Sequence, residues 1–107
     1  MVEATLKKDK QGNYTGIEIN GHANYNPGND IVCSAISALG YTLIGSLRNE
    51  EGVMLNYSIN DEGIKCDVTS EHIDNVNKIF EVIKIGLLQI EITYPDNLKV
   101  IEEKHSN

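Results

Sequence analysis

Two residues in the first third of the chain have the types and the setting for covalent chemistry, His22 and Cys33. Gly21-His22-Ala23 stands where an alternating segment ends, and Asp30-Ile31-Val32-Cys33-Ser34 stands where helical spacing begins. With Asp30 as N-cap, Cys33 is the third helical residue, in the turn whose backbone N–H groups lack intrahelical partners. The partial positive charge of those groups favours a thiolate, and a nearby imidazolium favours it further. The thiolate is the nucleophilic form of cysteine. The same N–H groups can hold the oxyanion of a tetrahedral intermediate. A Cys33 nucleophile with His22 as its base therefore spells acyl transfer. Gly21, with no side chain, allows a substrate or the following loop to approach the backbone beside His22.

Each residue also has a plainer reading. A lone cysteine at a small-residue helix start commonly packs as a small hydrophobe, and a lone histidine after a strand is commonly a boundary residue. Pro27-Gly28 turns the chain between them, proline fixing φ and glycine free to take positive values. That turn and the glycine before the histidine strengthen the pair without deciding it. Asp30 has two possible roles. As N-cap it bonds an N–H near Cys33 and slightly opposes the thiolate; turned toward His22, it holds the imidazole and stabilises its cation. The cap is the commoner use. Ser37 shares a helix face with Cys33 and can bond within the site, although a helical serine more often bonds the carbonyl one turn back.

Other candidates carry less. Cys66 alternates with Ile64 and Val68, as a core residue does; His72 stands at a helix start and His105 in a polar tail. No Cys-x-x-Cys or His-x-x-x-His spacing suggests zinc, and the glycines form no phosphate loop. No metal or cofactor is expected.

The elements that must position the pair follow from periodicity. Val2, Ala4 and Leu6 alternate over residues 2–7, and Ile17 and Ile19 alternate over 14–20, with a polar turn between, which predicts a hairpin. Residues 31–48 have helical spacing, with Ile31, Ala35, Leu39, Leu43 and Leu47 recurring about one turn apart. That helix is rich in small residues and contains Gly40 and Gly45, each costing roughly 1 kcal/mol relative to alanine, so it is expected to pack closely on a sheet or a symmetry mate. Val53, Leu55, Tyr57 and Ile59, then a turn at 60–63, then Ile64, Cys66 and Val68 predict a second hairpin. Ser70 can cap a second helix, whose stripe is Ile73, Val76, Phe80, Ile83, Leu87 and Ile90. Pro95 stops it, and Leu98 to Ile101 can add a short strand. The order is ββαββα with an optional β. The expected fold is an α+β two-layer sandwich, its helices on one face of an antiparallel or mixed sheet.

The chain has 107 residues, one domain's worth, expected to be a single unit over 1–107. Sixteen acidic and nine basic residues give a net charge of −7. That balance argues against direct nucleic-acid binding and against an anionic membrane surface. No signal peptide is visible, the apolar runs are short, and two cysteines without secretory context suggest free thiols. The expected location is cytoplasmic.

Gly21-His22-Ala23, then Gly28, then Asp30-Ile31-Val32-Cys33, with Ser37 and Leu39 following, resembles the signature of the ribosomal-processing cysteine protease family Prp. Length and element order match as well, so the resemblance covers essentially the whole chain. It implies a cysteine endopeptidase with Cys33 as nucleophile and His22 as general base and acid. It also implies homodimers, and a protein substrate: a large-subunit ribosomal protein whose short N-terminal extension is removed. Tyr25, Pro27 and Gly28 then belong to a loop bordering the substrate cleft. That loop departs from the family pattern. It is one residue shorter, and Asn26-Pro27-Gly28-Asn29 replaces a stretch with another aromatic or bulky residue, which bears on the substrate more than on the chemistry. The alternative is a non-catalytic dimeric module that keeps the fold and holds a peptide. A thiol-redox enzyme is a more distant one, since Cys66 sits within a strand.

Overall fold

Alternation of apolar and polar residues builds the first hairpin. β1 (Val2–Lys8) and β2 (Tyr14–Gly21) pair antiparallel, with Ala4 opposite Ile19 and Leu6 opposite Ile17. Asp9 ties the turn, its Oδ1 accepting the Gln11 and Asn13 N–H groups at 2.9 and 3.0 Å. Our computed structural model describes residues 1–21 and 30–104. Within them follow α1 (Ile31–Arg48), β3 (Val53–Asn60), β4 (Gly63–Ser70), α2 (Ile73–Thr93) and β5 (Leu98–Lys104).

The strands form one mixed sheet in the order β3-β4-β2-β1-β5. All neighbours are antiparallel except β1 and β5, which run parallel from Val2 opposite Leu98 to Lys8 opposite Lys104. The expected α+β sandwich is what the chain adopts, and its last strand runs on past Ile101 to Lys104. Both helices cover one sheet face. Val2, Ala4 and Leu6, Ile17 and Ile19, and Ile64, Cys66 and Val68 turn toward them and are buried. Full burial of one Leu, Ile or Phe contributes about 1.5–3 kcal/mol, so this single cluster dominates stability.

Three local expectations need correction. The buried face of α1 is Val32, Ile36, Gly40, Leu43, Ile44 and Leu47, while Ile31 is 51% exposed and Ala35 is exposed. Only Leu43 and Leu47 of the expected stripe are fully buried, and Leu39 is partly so. The stripe turns on Gly40: a Cβ there would run into Ile64 Cδ1, so glycine lets the helix settle on β4. Ser70 does not cap α2. It ends β4, and its Oγ accepts the His72 N–H at 2.8 Å, while His72 occupies the N-cap position. The apolar content of α1 also exceeds what its short runs suggest. Its mean hydropathy of 1.4 over 18 residues suffices for a membrane-crossing helix by length and composition, yet its apolar face is laid against the sheet.

A register shift between Lys7 and Lys8 brings Tyr14 inward. Its ring stacks on Phe80 of α2 with centroids 5.0 Å apart. Its hydroxyl donates to Glu81 Oε1 at 2.6 Å. Burial first, and then Glu81, push that hydroxyl well above its ordinary pKa. Beside it Glu102 Oε1 meets Lys84 Nζ at 2.8 Å and Lys8 Nζ at 3.2 Å. This polar network closes the end of the sheet opposite Gly21.

Candidate active site

At the Gly21 end, β2 finishes, β1 and β5 begin, and the β3–β4 turn arrives, since Val2 lies opposite Gly21 and Asn20 opposite Gly63. The first turn of α1 stands over the same end. Asp30 is its N-cap, in extended conformation, with Oδ1 accepting the Cys33 N–H at 2.9 Å. Its main-chain oxygen accepts from the Ser34 N–H at 3.2 Å and from Ser34 Oγ at 3.1 Å. Cys33 is therefore in the first helical turn, as its spacing predicted. One expectation changes in detail. The Cys33 and Ser34 N–H groups are both engaged by Asp30, so neither can hold an oxyanion without opening the cap.

Cys33 is half-buried and opens on a groove of about 180 Å³. Ser37, one turn further along α1, lines it too, with Tyr41 beyond. The opposite wall is the tip of the second hairpin: Ile59, Asn60 and Asp61. Ser34, Thr42 and Thr93 bond back to the carbonyl four residues earlier. Among the described residues Ser37 makes no such bond, which leaves its hydroxyl to the groove.

Gly21 lines the groove as well, but glycine is required there for a reason the sequence did not suggest. Its φ is +98°, and a Cβ would lie 2.5 Å from the Met1 carbonyl oxygen. Gly63, across the groove floor, has φ +144° and would meet the Ile19 carbonyl. Two glycines thus allow β1, β2 and β4 to close tightly under Cys33.

His22, Tyr25, Pro27 and Gly28 lie outside the described residues. Cys66 is fully buried, and desolvation pushes its thiol up to about 11, which suits a core residue. Among the described residues no group of three His, Cys, Asp or Glu side chains could hold a metal ion. Tyr41, Ile59, Asn60 and Asp61 were not singled out from sequence. No local signal places them there, because the turn reaches the level of Asn20 only through the register of β4 on β2.

The profile of the cysteine protease Prp family matches residues 1–99. Comparison with curated proteins finds no matching sequence. Among solved structures, the essential ribosomal processing protease Prp from S. aureus, in complex with a covalently linked product peptide, superposes with a TM-score of 0.87 at 20% identity, over 96% of this chain and all of that one. The same protease with a substrate peptide gives 0.81 at 20% identity, with the same coverage. SMU.848 from Streptococcus mutans gives 0.82 at 26% identity, over 98% of this chain and 99% of that one. These likenesses establish the fold, and the profile match over nearly the whole length establishes the kinship: the chain belongs to the cysteine protease Prp family.

Proposed function

We propose that this protein is a cysteine endopeptidase that removes a short N-terminal extension from a large-subunit ribosomal protein. One observation carries the reading: in a chain of the Prp family, Cys33 stands in the first turn of α1 and opens on a groove, whereas Cys66 is buried in β4. In this mechanism His22 takes the Cys33 proton, and the thiolate attacks the scissile carbonyl carbon. The tetrahedral intermediate collapses with loss of the C–N bond, and the leaving amine receives the proton from His22. A thioester remains on Cys33. Water, deprotonated by His22, attacks it; the C–S bond breaks, and the proton returns to the dyad. Asp30 acts as helix cap, and Ser37 offers a hydroxyl to the bound chain.

The active form is a homodimer in this reading. Val82, Ile85 and Ile92 are exposed along one face of α2, and Ala35 and Ala38 are exposed on α1, a small and apolar surface suited to a second copy. The reaction belongs in the cytoplasm, where ribosomal proteins are made and free thiols persist.

The test is a mass-spectrometric cleavage assay on a large-subunit ribosomal protein that carries its extension. A single cut by the wild type and none by Cys33→Ala supports the reading. A cut by both proteins assigns the nucleophile elsewhere. Tight binding of the substrate by both, with no product, makes the chain a peptide-binding module instead.

A further inference from the structure

The two edges of the sheet are built differently. β5 carries Lys99, Glu102, Glu103 and Lys104, the kind of charge that discourages a strand from pairing with a stranger. β3, Val-Met-Leu-Asn-Tyr-Ser-Ile-Asn, carries no charge and no proline, in a protein with 25 charged residues among its 107. It pairs with β4 from Val53 to Asn60 without a shift in register, so no bulge twists the edge away. Every second residue of such a strand turns its N–H and C=O outward, where they can pair with a further chain.

The helix layer covers Val53 and Leu55 at the start of β3 but leaves the second half of the strand open. Tyr57 and Ile59 face the helices, opposite the buried Cys66 and Ile64, yet they are 41% and 44% exposed. Tyr41 on the flank of α1 is 55% exposed, and the Arg48 guanidinium lies 5.9 Å from the centre of the Tyr57 ring. Tyr57, Ile59 and Tyr41 form an apolar ledge along the second half of β3, with the Arg48 cation beside Tyr57. The ledge ends in the groove, because Ile59, Asn60 and Tyr41 line it together with Cys33.

We infer that the outer edge of β3, unpaired among the described residues, is the docking strand for the protein substrate. The extended segment beside the scissile bond adds to the sheet as a sixth strand, its backbone pairing with β3 and its alternate side chains resting on Tyr57, Ile59 and Tyr41. The inference rests on the protease reading above. An extended peptide is the fitting occupant because an uncharged edge selects for backbone and for apolar alternation. Continuity with the groove then places the bound segment at Cys33.

Amide hydrogen exchange tests it, with Cys33→Ala mixed with a synthetic peptide that spans the junction between extension and mature sequence. Cys33→Ser serves if Cys33→Ala does not fold. Slowing of exchange over 53–60 by about tenfold or more, with 98–104 unchanged, is the expected result. Unchanged exchange over 53–60 overturns the docking strand. So does protection there that needs no peptide and grows with protein concentration, since a second copy then occupies the edge. Cleavage of the same peptide by the wild type is scored separately. Cutting without β3 protection sinks the docking strand alone, β3 protection without cutting sinks the protease reading alone, and neither sinks both.

Discussion

The Asp30 carboxylate closes on the backbone of Cys33, its Oδ1 accepting the cysteine's own N–H at 2.9 Å. One residue therefore starts the helix, engages an N–H at its positive end, and sets a negative charge beside Cys33. The cap and the thiolate pull in opposite directions, and variants at Asp30 separate them.

Asp30→Ala should destabilise the protein by about 1 kcal/mol, the usual cost of a lost N-cap, seen as a lower urea midpoint. Asp30→Asn keeps a capping oxygen and removes the charge. It should stay close to wild-type stability, and its Cys33 should react a few-fold faster with iodoacetamide at neutral pH, because a like charge beside a thiolate disfavours it. A slower reaction would mean that the carboxylate chiefly supports an imidazolium.

The two thiols should behave oppositely. Cys33 is half-buried on a groove, whereas Cys66 is fully buried with its thiol pushed up to about 11. Folded protein should take up one equivalent of a thiol reagent quickly, and urea should release the second. Two fast equivalents in the folded state would contradict the packing of β4.

The same substitution should change sign within α1. Gly40→Ala gains helix propensity but drives a Cβ into Ile64 Cδ1, and overpacking of that kind costs about 1–3 kcal/mol. Gly45→Ala meets nothing within 4 Å and should stabilise by roughly 0.5–1 kcal/mol. Urea melts of the two variants check this. Equal effects would mean that α1 does not sit on Ile64 as closely as the structure has it.

Glu102 provides a pH signature. The hydrogen bond from Lys84, and further that from Lys8, hold its carboxyl below the usual range. A carboxyl depressed by folding stabilises at neutral pH and loses that contribution as pH falls through its folded value. Glu102→Gln should therefore cost at most about 1 kcal/mol at pH 7, since the site is partly exposed, and nothing below about pH 3. The Lys84 side of the pair is raised by the same bond and should fade only above its ordinary range of about 10.5. Denaturant midpoints at pH 3 and pH 7 decide it.

Strict alternation made both hairpins legible, and Pro95 and the helical spacing fixed both helices. The buried face of α1 was harder to read. Two candidate stripes differ by one residue, and the true one passes through Gly40, which scores as nothing in a hydrophobic pattern yet is needed because Ile64 lies beneath it. Tyr14 escaped because a register shift at the start of β2 turns it to the same face as Ile17 and Ile19, against strict alternation. Asp30 and Cys33 were legible as a cap and its third residue, since that relationship is local. Asn60 and Asp61 were not, because only the register of four strands brings them across from Cys33.

The parallel pairing of β1 with β5 separates the two ends of the described chain. Val2 lines the groove and bonds Asn97 through its N–H at 2.9 Å, while Lys104 leaves beside Lys8 at the far end of the sheet. Anything joined ahead of Val2 emerges at the mouth of the candidate site, and anything joined after Lys104 emerges about a strand's length away. An affinity tag on the amino terminus is then a tethered competitor for the groove, at a local concentration no added peptide matches. A tag on the carboxyl terminus leaves the groove open.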